Sequence, residues 1–385
     1  MKITALDAFP IRLPARRDFK WAGLRENLGG FVVVRLETED GIVGWGEATP
    51  LPDWGGAAGR RGGETQATVL TMIRDVLAPV VIGLDVSQTT QARLAMDRAA
   101  IGNSYAKVAI DIALHDAWGK TLGQPIHRLL GGQVRDRVAW AHMVGLMSET
   151  EALDEALGAV ADGCTALQIK GGLDVDRDVR LIAAIRSEAP DVFLRLDANQ
   201  GYRAARAGID AMRRLRDAGA DACEQPVADM RSMAAVTQSG ALPVIADESC
   251  WDAVDAMDLV AHGAADWFSI YLAKAGGFVG ASKVAAIAET MNIRCDVNGS
   301  IESAIGTAAN VQFSLAMPAV SLPGVYPVSA PAGQHPCKIA GHYYTDDILT
   351  EPMAVEAGHI LSLDAPGLGI EIDEARLARY RQDLA

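Results

Sequence analysis

Five charged residues stand at the ends of short apolar runs in the second half of the chain. Asp197, Glu224 and Asp247 follow three successive runs, and Lys170 and Lys274 end the runs on either side of them. Three carboxylates form an all-oxygen set of ligands, which suits a hard cation such as Mg²⁺, with Mn²⁺ as a substitute, better than zinc. Two lysines beside such a metal predict acid/base chemistry, namely removal of a proton alpha to a carboxylate.

The joint pattern carries this prediction, not any single residue. One acidic residue after an apolar run is also typical of a helix N-cap or a surface turn. Three acidic residues at the ends of consecutive apolar runs, flanked by two lysines, favour a catalytic metal site. A lysine acts as a base only when it is neutral, and a nearby divalent cation or like charge lowers a lysine pKa.

The elements that must position these residues read as eight short β-like runs separated by helical stretches. The runs are VAWAHMVGL, ALQIKGG, FLRLDAN, ACEQP, PVIADES, WFSIYLAK, IRCDVNG and AVSLPGVY. Alternating strands and helices favour a parallel sheet, and eight such units predict a closed (β/α)₈ TIM barrel in the α/β class. In such a barrel the second and sixth strands lie opposite each other, so that Lys170 and Lys274 face the same opening.

The amino-terminal third predicts a separate α+β unit. KITALDAFPI and FVVVRLETEDGIVGWGEA read as strands, with EDG as a hairpin turn, and residues 64–123 have helical spacing. We therefore expect a capping domain over residues 1–130, a barrel over 131–345, and a tail, 346–385, that returns to the capping domain. The glycine-rich stretches GLRENLGG and WGGAAGRRGG predict mobile lid loops.

Composition narrows the possible partners and the location. A net charge of -14 disfavours nucleic acid and anionic membranes, because either would need a clustered basic surface. The five cysteines are far apart and form no Cys-x-x-Cys pair, so reduced thiols are expected. The start of the chain lacks the apolar core of a secretory signal, which predicts a cytoplasmic protein.

Several of these segments resemble the enolase superfamily. DAN at 197–199, EQP at 224–226 and ADES at 246–249 look like its metal-ligand motifs. IK at 169–170 and KAGG at 274–277 are similar to the muconate lactonizing enzyme subgroup of the mandelate racemase/muconate lactonizing enzyme family. GIVGWGE and PGLGIEID resemble the capping domain of that family, so the likeness covers nearly the whole chain.

The resemblance implies a role for each motif residue. Asp197, Glu224 and Asp247 would ligate Mg²⁺, and Lys170 and Lys274 would be the acid/base pair. Residues that support the ligands would be Asn199 and Glu248. A small-molecule carboxylate substrate and a homo-oligomer are also implied.

This chain departs from the family pattern at three places, and these departures limit which subgroups of the family it can resemble. The subgroup usually has Lys-x-Lys on the second strand, whereas this chain has Gln168 in place of the first lysine, and Gln168 becomes a substrate-binding candidate. CDVNGS lacks the histidine of mandelate racemase and the sugar-acid dehydratases. SLPGVY lacks the Asp-x-Asp of the dipeptide epimerases.

The favoured function is racemisation or epimerisation of an amino acid derivative. LQIKGG and SYAKVAIDIALHD resemble members that act on proline-type or betaine-type amino acids, such as hydroxyproline betaine epimerases and cis-3-hydroxyproline dehydratases. Asp296 and Glu302 are candidates to hold a cationic ammonium group. A dehydratase or cycloisomerase that uses the same enolate is the alternative, and a non-catalytic barrel that binds a metal or ligand is a remote one.

Overall fold

The computed structural model describes residues 1–22 and 28–383 and confirms an α/β barrel with an amino-terminal capping sheet. The capping sheet is antiparallel, in the order β1 (Ile3–Arg12), β2 (Gly30–Thr38) and β3 (Val43–Ala48). The predicted hairpin turn joins β2 to β3, and Gly41 there adopts a φ of 76°, which glycine tolerates without a steric penalty.

The predicted helical segment packs on this sheet. Its elements are α1 (Gln66–Thr71), a π-helical segment (Met72–Leu77), α2 (Ala78–Val81), α3 (Thr89–Ala99), α4 (Ser104–Leu122) and α5 (Ile126–Leu129). Helix α4 ends at Gly123 in the left-handed conformation, which glycine favours at a helix C-cap. A Cβ built on Gly46 of β3 would lie 1.8 Å from the Ala109 oxygen of α4, so the two backbones approach directly.

Seven parallel strands follow one another around the barrel in chain order. They are β5 (Ala141–Val144), β6 (Ala166–Lys170), β7 (Phe193–Asp197), β8 (Ala222–Glu224), β9 (Val244–Ala246), β10 (Trp267–Ile270) and β11 (Arg294–Val297). The intervening helices are α6 (Glu149–Ala161), α7 (Val175–Glu188), α8 (Ala205–Asp217), α9 (Met230–Gln238), α10 (Ala253–His262), α11 (Leu272–Ala275), α12 (Phe278–Thr290) and α13 (Ala304–Ala316).

The eighth predicted strand is present only as two isolated parallel bridges. Val320 pairs with Cys295 of β11, and Gly324 pairs with Trp140, next to β5. Pro323 between them has no backbone N–H for a ladder, which explains why a regular strand does not form there. The two bridges still join the first and last strands of the ring.

The carboxyl-terminal tail contacts both parts of the molecule. Strands β12 (Val355–Glu356) and β13 (His359–Leu361) extend β4 (Arg137–Ala139) into a small antiparallel sheet, and α14 (Glu374–Tyr380) follows. The Leu368 amide donates to Asp116 of α4 at 2.9 Å, and Arg381 bridges Ile11 of β1. The domain limits at 130 and 345 stay a prediction.

One predicted lid loop lies over the barrel. Residues 23–27 of GLRENLGG lie outside the described residues. In WGGAAGRRGG the Ala58 amide donates to Gln200 Oε1 at 2.7 Å, and Arg61 pairs with Asp252 at 3.0 Å and Asp255 at 2.6 Å. The capping loop is therefore fastened to loops at the carboxyl ends of the barrel strands.

Candidate active site

The three predicted metal-ligand carboxylates meet at one edge of the barrel. Asp197 and Glu224 end β7 and β8 and are direct partners in the ladder, and Asp247 follows β9. All three side chains are buried. Gln168 Nε2 donates to Glu224 Oε2 at 2.8 Å and lies 3.5 Å from Asp197 Oδ2, which links the first two carboxylates.

The two lysines contact opposite ends of this carboxylate row. Lys170 Nζ donates to Asp197 Oδ2 at 2.6 Å, and Lys274 Nζ donates to Asp247 Oδ1 at 2.7 Å. Lys274 also donates to the backbone oxygens of Asp247 and Ser269. The prediction that Lys274 ends the sixth strand was wrong in detail: β10 ends at Ile270, and Lys274 lies in the short helix α11, whose turn carries its ammonium back over the strand ends.

Burial and the charges of neighbouring groups shift the pKa values of the site residues. Burial, followed by the charge of Asp197, raises the pKa of Glu224 well above its ordinary value. Burial disfavours the ammonium of Lys170, but the charges of Asp197 and Glu224 outweigh burial, so that the pKa of Lys170 is raised. The charges of these carboxylates therefore favour the ammonium form of Lys170.

A buried arginine that sequence analysis missed lies beneath the carboxylates. Arg195 of β7 is completely buried; its Nε lies 3.3 Å from Glu224 Oε2 and its Nη1 forms an ion pair with Asp296. Its Nη2 donates to Asn298 Oδ1 at 3.1 Å, and the same oxygen accepts from the Val325 amide at 2.7 Å. Arg195 thus joins β7, β8, β11 and the irregular eighth segment.

A narrow cavity opens in front of these groups. Apolar and aromatic side chains form one part of its wall: Trp21, Leu51, Trp54, Met143, Tyr271, Ile301 and Val325. Gln168, Lys170, Asn199, Asp247, Asn298 and Ser300 supply polar groups. The lysines lie against aromatic faces, with Lys170 Nζ 5.3 Å from the Trp21 ring and Lys274 Nζ 4.2 Å from the Tyr271 ring.

Comparison with known families agrees with this fold. Residues 151–376 match the family described as Enolase C-terminal domain-like, which is more than half of the chain. Residues 14–131 match the family described as Mandelate racemase / muconate lactonizing enzyme, N-terminal domain.

The chain belongs to the enolase superfamily, within its mandelate racemase/muconate lactonizing enzyme family.

Individual relatives are similar over nearly their whole length. The N-succinyl-L-Arg/Lys racemase of Bacillus cereus is 31% identical over 383 residues, covering 98% of this chain and 97% of that protein. The L-Ala-D/L-Glu epimerase of Bacillus subtilis is 33% identical over 82% of this chain and 85% of that protein. The crystal structure of 2-chloromuconate cycloisomerase from Rhodococcus opacus has a TM-score of 0.89 and 31% identity and covers 100% of both chains.

These relatives establish the general chemistry. They are isomerases, namely racemases, epimerases and cycloisomerases, and act on small carboxylates. As an enolase superfamily enzyme, the protein shares their enolate chemistry, and members of the superfamily typically use a divalent metal.

The carboxylates fit a divalent cation by their donor chemistry and charge. Burial is the main cause that raises the pKa values of Glu224 and Asp247, and repulsion by the charge of Asp197 adds to it for both. Among the residues that the structure describes, no three acidic, histidine or cysteine side chains already form a metal-binding group. Lys170, Lys274 and Gln168 each donate a hydrogen bond to one of the three carboxylates, and a metal ligated by these oxygens would compete with those contacts.

Asn199 and Glu248 lie beside the carboxylates. Asn199 Nδ2 lies 3.3 Å from both Asp197 Oδ2 and Glu248 Oε1. Burial, followed by the charges of Asp247 and Asp197, raises the pKa of Glu248 to about 8. The structure thus brings both residues next to the carboxylate row, and their role as supports of metal ligands stays a prediction.

The structure does not bring Asp296 or Glu302 to the cavity wall. Asp296 is engaged by Arg195, and Glu302 lies behind the loop, where its Oε1 accepts from the Ser300 amide at 2.9 Å. Glu302 instead borders a small separate cavity with Glu47 and Thr49.

In the described part of the chain, no helix is long and apolar enough to cross a membrane.

Proposed function

We propose that the protein racemises or epimerises an amino acid derivative by moving the proton at its α-carbon. The observation that carries this proposal is the placement of Lys170 and Lys274 at opposite ends of the carboxylate row. Two acid/base groups on opposite sides of one bound carbon can invert it, whereas proton abstraction followed by elimination needs only one of them.

The chain supplies the groups for such an inversion. Asp197, Glu224 and Asp247 would hold the metal, proposed to be Mg²⁺, which supplies positive charge to stabilise the developing negative charge of the substrate. One lysine, in its neutral form, takes the α-proton at Nζ from one face. The other lysine donates a proton from its ammonium to the opposite face, and the aromatic walls exclude water from the exchange.

The remaining predicted residues have supporting roles in this proposal. Gln168 orients Glu224, and Asn199 joins Asp197 to Glu248. Asp296 acts through Arg195 rather than on the substrate. Glu302 acts through Ser300, whose backbone it holds at the cavity wall.

We propose an N-modified or cyclic amino acid, of the proline or betaine type, as the substrate. The rings of Trp21, Trp54 and Tyr271 line the cavity and already lie over ammonium groups of the chain itself. Aromatic faces attract alkylated ammonium groups by their quadrupole, so they suit a substrate nitrogen of this kind.

A cycloisomerase is the second candidate, supported by the similarity to 2-chloromuconate cycloisomerase over the whole chain. It would use the same enolate but change the connectivity of the substrate, and a dehydratase would release water. We also propose that the protein is cytoplasmic and forms a homo-oligomer. Light scattering after gel filtration measures the molar mass of the assembly and so tests the second point.

The experiment is ¹H NMR of the purified protein with Mg²⁺ in D₂O, using a panel of amino acids, N-acyl amino acids, proline betaines and muconates. We expect the α-proton signal to disappear as deuterium replaces the proton. The α-carbon should be inverted, and the substrate should show no other chemical change. The double variant Lys170→Ala, Lys274→Ala should be inactive, while Lys283→Ala, an exposed lysine of α12, serves as the matched control. Exchange that persists in the double variant would refute the proposed roles.

A further inference from the structure

The backbone that carries Lys274 is a single helical turn between β10 and α12. It comprises α11 and the two glycines that follow, residues 272–277, which we call the Lys274 turn. The Gly277 amide donates to the Leu272 oxygen at 2.8 Å and closes the turn. Because one helical turn is not stable by itself, its position depends on the groups that contact it.

Arg93 of the capping-domain helix α3 contacts the end of this turn. Its Nη1 donates to the Ala275 oxygen at 2.6 Å and to the Gly276 oxygen at 3.0 Å. Carbonyl groups at a helix end lack partners within the helix, and a cation there is favoured by the helix dipole. Arg93 Nε in turn donates to Asp97 at 2.9 Å, and Asp97 pairs with the buried Lys107 of α4 at 2.7 Å. The capping domain therefore fixes the direction of this guanidinium.

Two glycines leave the space that the guanidinium occupies. A Cβ built on Gly276 would lie 2.8 Å from Arg93 Nη1, and a Cβ built on Gly280 would lie 3.1 Å from the same atom. The Cβ on Gly280 would also lie 2.1 Å from the Ala275 oxygen. Arg93 thus reaches the backbone oxygens of the turn directly.

Asp111 of the capping-domain helix α4 contacts the point where the turn passes into α12. Its Oδ1 accepts from the Phe278 amide at 2.6 Å, and its side chain is buried. Gly277 has a φ of 115°, and a Cβ built on it would lie 2.2 Å from Asp111 Cγ. The carboxylate therefore packs against the backbone of the turn itself.

The two lysines are consequently positioned by different parts of the molecule. Lys170 is the last residue of β6 and pairs with Asp197 of β7 in the parallel ladder, so the barrel sheet positions its backbone. Lys274 Nζ contacts oxygens of Asp247 and Ser269, but its backbone belongs to the turn that Arg93 contacts. A change in the capping-domain contacts should therefore displace one lysine and not the other.

We propose that Arg93 and Asp111 are positioning residues for Lys274, through which the capping domain sets the rate of one of the two proton transfers. This inference rests on the proposed function, because it assigns each lysine to one face of the substrate. Proton transfer needs the lysine nitrogen within hydrogen-bond reach of the α-carbon proton, and a displacement of 1 Å is costly.

The test measures α-proton exchange in D₂O for each pure enantiomer of a substrate found in the NMR panel. Lys274→Ala identifies the enantiomer that Lys274 serves, since its exchange is lost. In Arg93→Met, kcat for that enantiomer should fall by about tenfold to a hundredfold, the effect of a misplaced reacting group. KM, and kcat for the other enantiomer, should change little, because substrate binding and Lys170 are unaffected.

Control variants separate positioning from a general loss of structure. Arg74→Met is the matched control, because Arg74 of the capping domain also donates to a backbone oxygen, that of Ala8 at 2.6 Å, away from the Lys274 turn. It should leave both enantiomers unchanged. Arg93→Lys should restore part of the lost rate, since an ammonium group can still donate to one carbonyl.

Asp111 provides a second, independent pair of variants. Asp111→Asn keeps an oxygen that accepts from the Phe278 amide and should retain the rate for both enantiomers. Asp111→Leu removes that acceptor and should reproduce the loss for the enantiomer that Lys274 serves. Equal losses for both enantiomers in Arg93→Met and Asp111→Leu, or no loss in either variant, overturn the inference while the proposed function stands.

Amide hydrogen exchange followed by mass spectrometry tests the contact without any substrate. In Arg93→Met, peptides that cover residues 271–278 should exchange about tenfold faster, the effect of losing one hydrogen bond to a charged group, while peptides that cover β6 should be unchanged. Unchanged exchange over residues 271–278 overturns the inference. If this exchange is faster but no compound of the panel is a substrate, the positioning of the turn is supported and the proposed function alone is contradicted.

Discussion

Replacement of Arg195 by methionine tests the network beneath the carboxylates. Methionine matches much of the length of the arginine side chain but carries no charge. It would leave the buried carboxylates of Glu224 and Asp296 and the amide oxygen of Asn298 without their cationic partner. Removal of one partner from a buried ion pair strands the other charge in a medium of low dielectric.

The size of the expected loss in the free energy of unfolding depends on how deeply these charged groups are buried. Arg195, Glu224 and Asp296 are all fully buried, so solvent screening does not reduce the effect. Breaking a buried pair costs about 3–5 kcal/mol of the free energy of unfolding. We therefore expect Arg195→Met to lose about 3–5 kcal/mol, a large part of the stability of an ordinary protein.

The assay is urea unfolding followed by tryptophan fluorescence and, independently, circular dichroism. Arg180→Met is the control, because the ion pair of Arg180 with Glu149 is exposed and its loss should change little. The double variant Arg195→Met, Asp296→Asn should recover part of the loss, since one stranded charge is gone. An Arg195→Met protein as stable as the Arg180→Met control would refute the reasoning.

Three further predictions concern pH, metal and packing. Burial, with repulsion by Glu47 in addition, raises the pKa of Glu302 to about 7 from an ordinary 4.5. Between these two pH values the folded state binds more protons than the unfolded state, so the stability of the protein should fall as pH rises from about 4.5 to 7. The thermal midpoint of Glu302→Gln should fall less over this range. Chelation should abolish α-proton exchange, and added Mg²⁺ or Mn²⁺ should restore it and raise the midpoint of the native protein but not of Asp197→Asn. Gly46→Ala should destabilise the capping domain by about 1–3 kcal/mol or more in urea unfolding, because its Cβ would lie 1.8 Å from the Ala109 oxygen; an unchanged midpoint would contradict the close packing of β3 on α4.

The sequence predicts the position of the carboxylate row well because each member ends or directly follows a strand. Asp197 and Glu224 end β7 and β8, and Asp247 follows β9, so locating the strands also locates the three carboxylates. The hairpin at Gly41 and the helix end at Gly123 were equally predictable, since each depends on a local conformation that favours glycine.

The parts that sequence reasoning missed depend on contacts between distant elements. Arg195 stands two residues before Asp197 on the same strand, so alternation places both on one face; a charged residue inside the apolar run FLRLDAN was the available signal. Its partner Asp296 lies about a hundred residues later, and the sequence alone therefore suggested an ammonium ligand instead of an internal ion pair. The helix that carries Lys274, Leu272–Ala275, has four residues, all buried, which is too short to show a helical spacing of apolar residues in the sequence.

The most direct test of the account uses single lysine variants and one pure enantiomer at a time. For a substrate found in the NMR panel, Lys170→Ala and Lys274→Ala should each lose racemisation, because inversion needs both lysines. Each variant should still exchange the α-proton of one enantiomer in D₂O, and the two variants should retain opposite enantiomers. Loss of exchange for the same enantiomer in both variants would contradict the proposal that the two lysines act on opposite faces of the substrate.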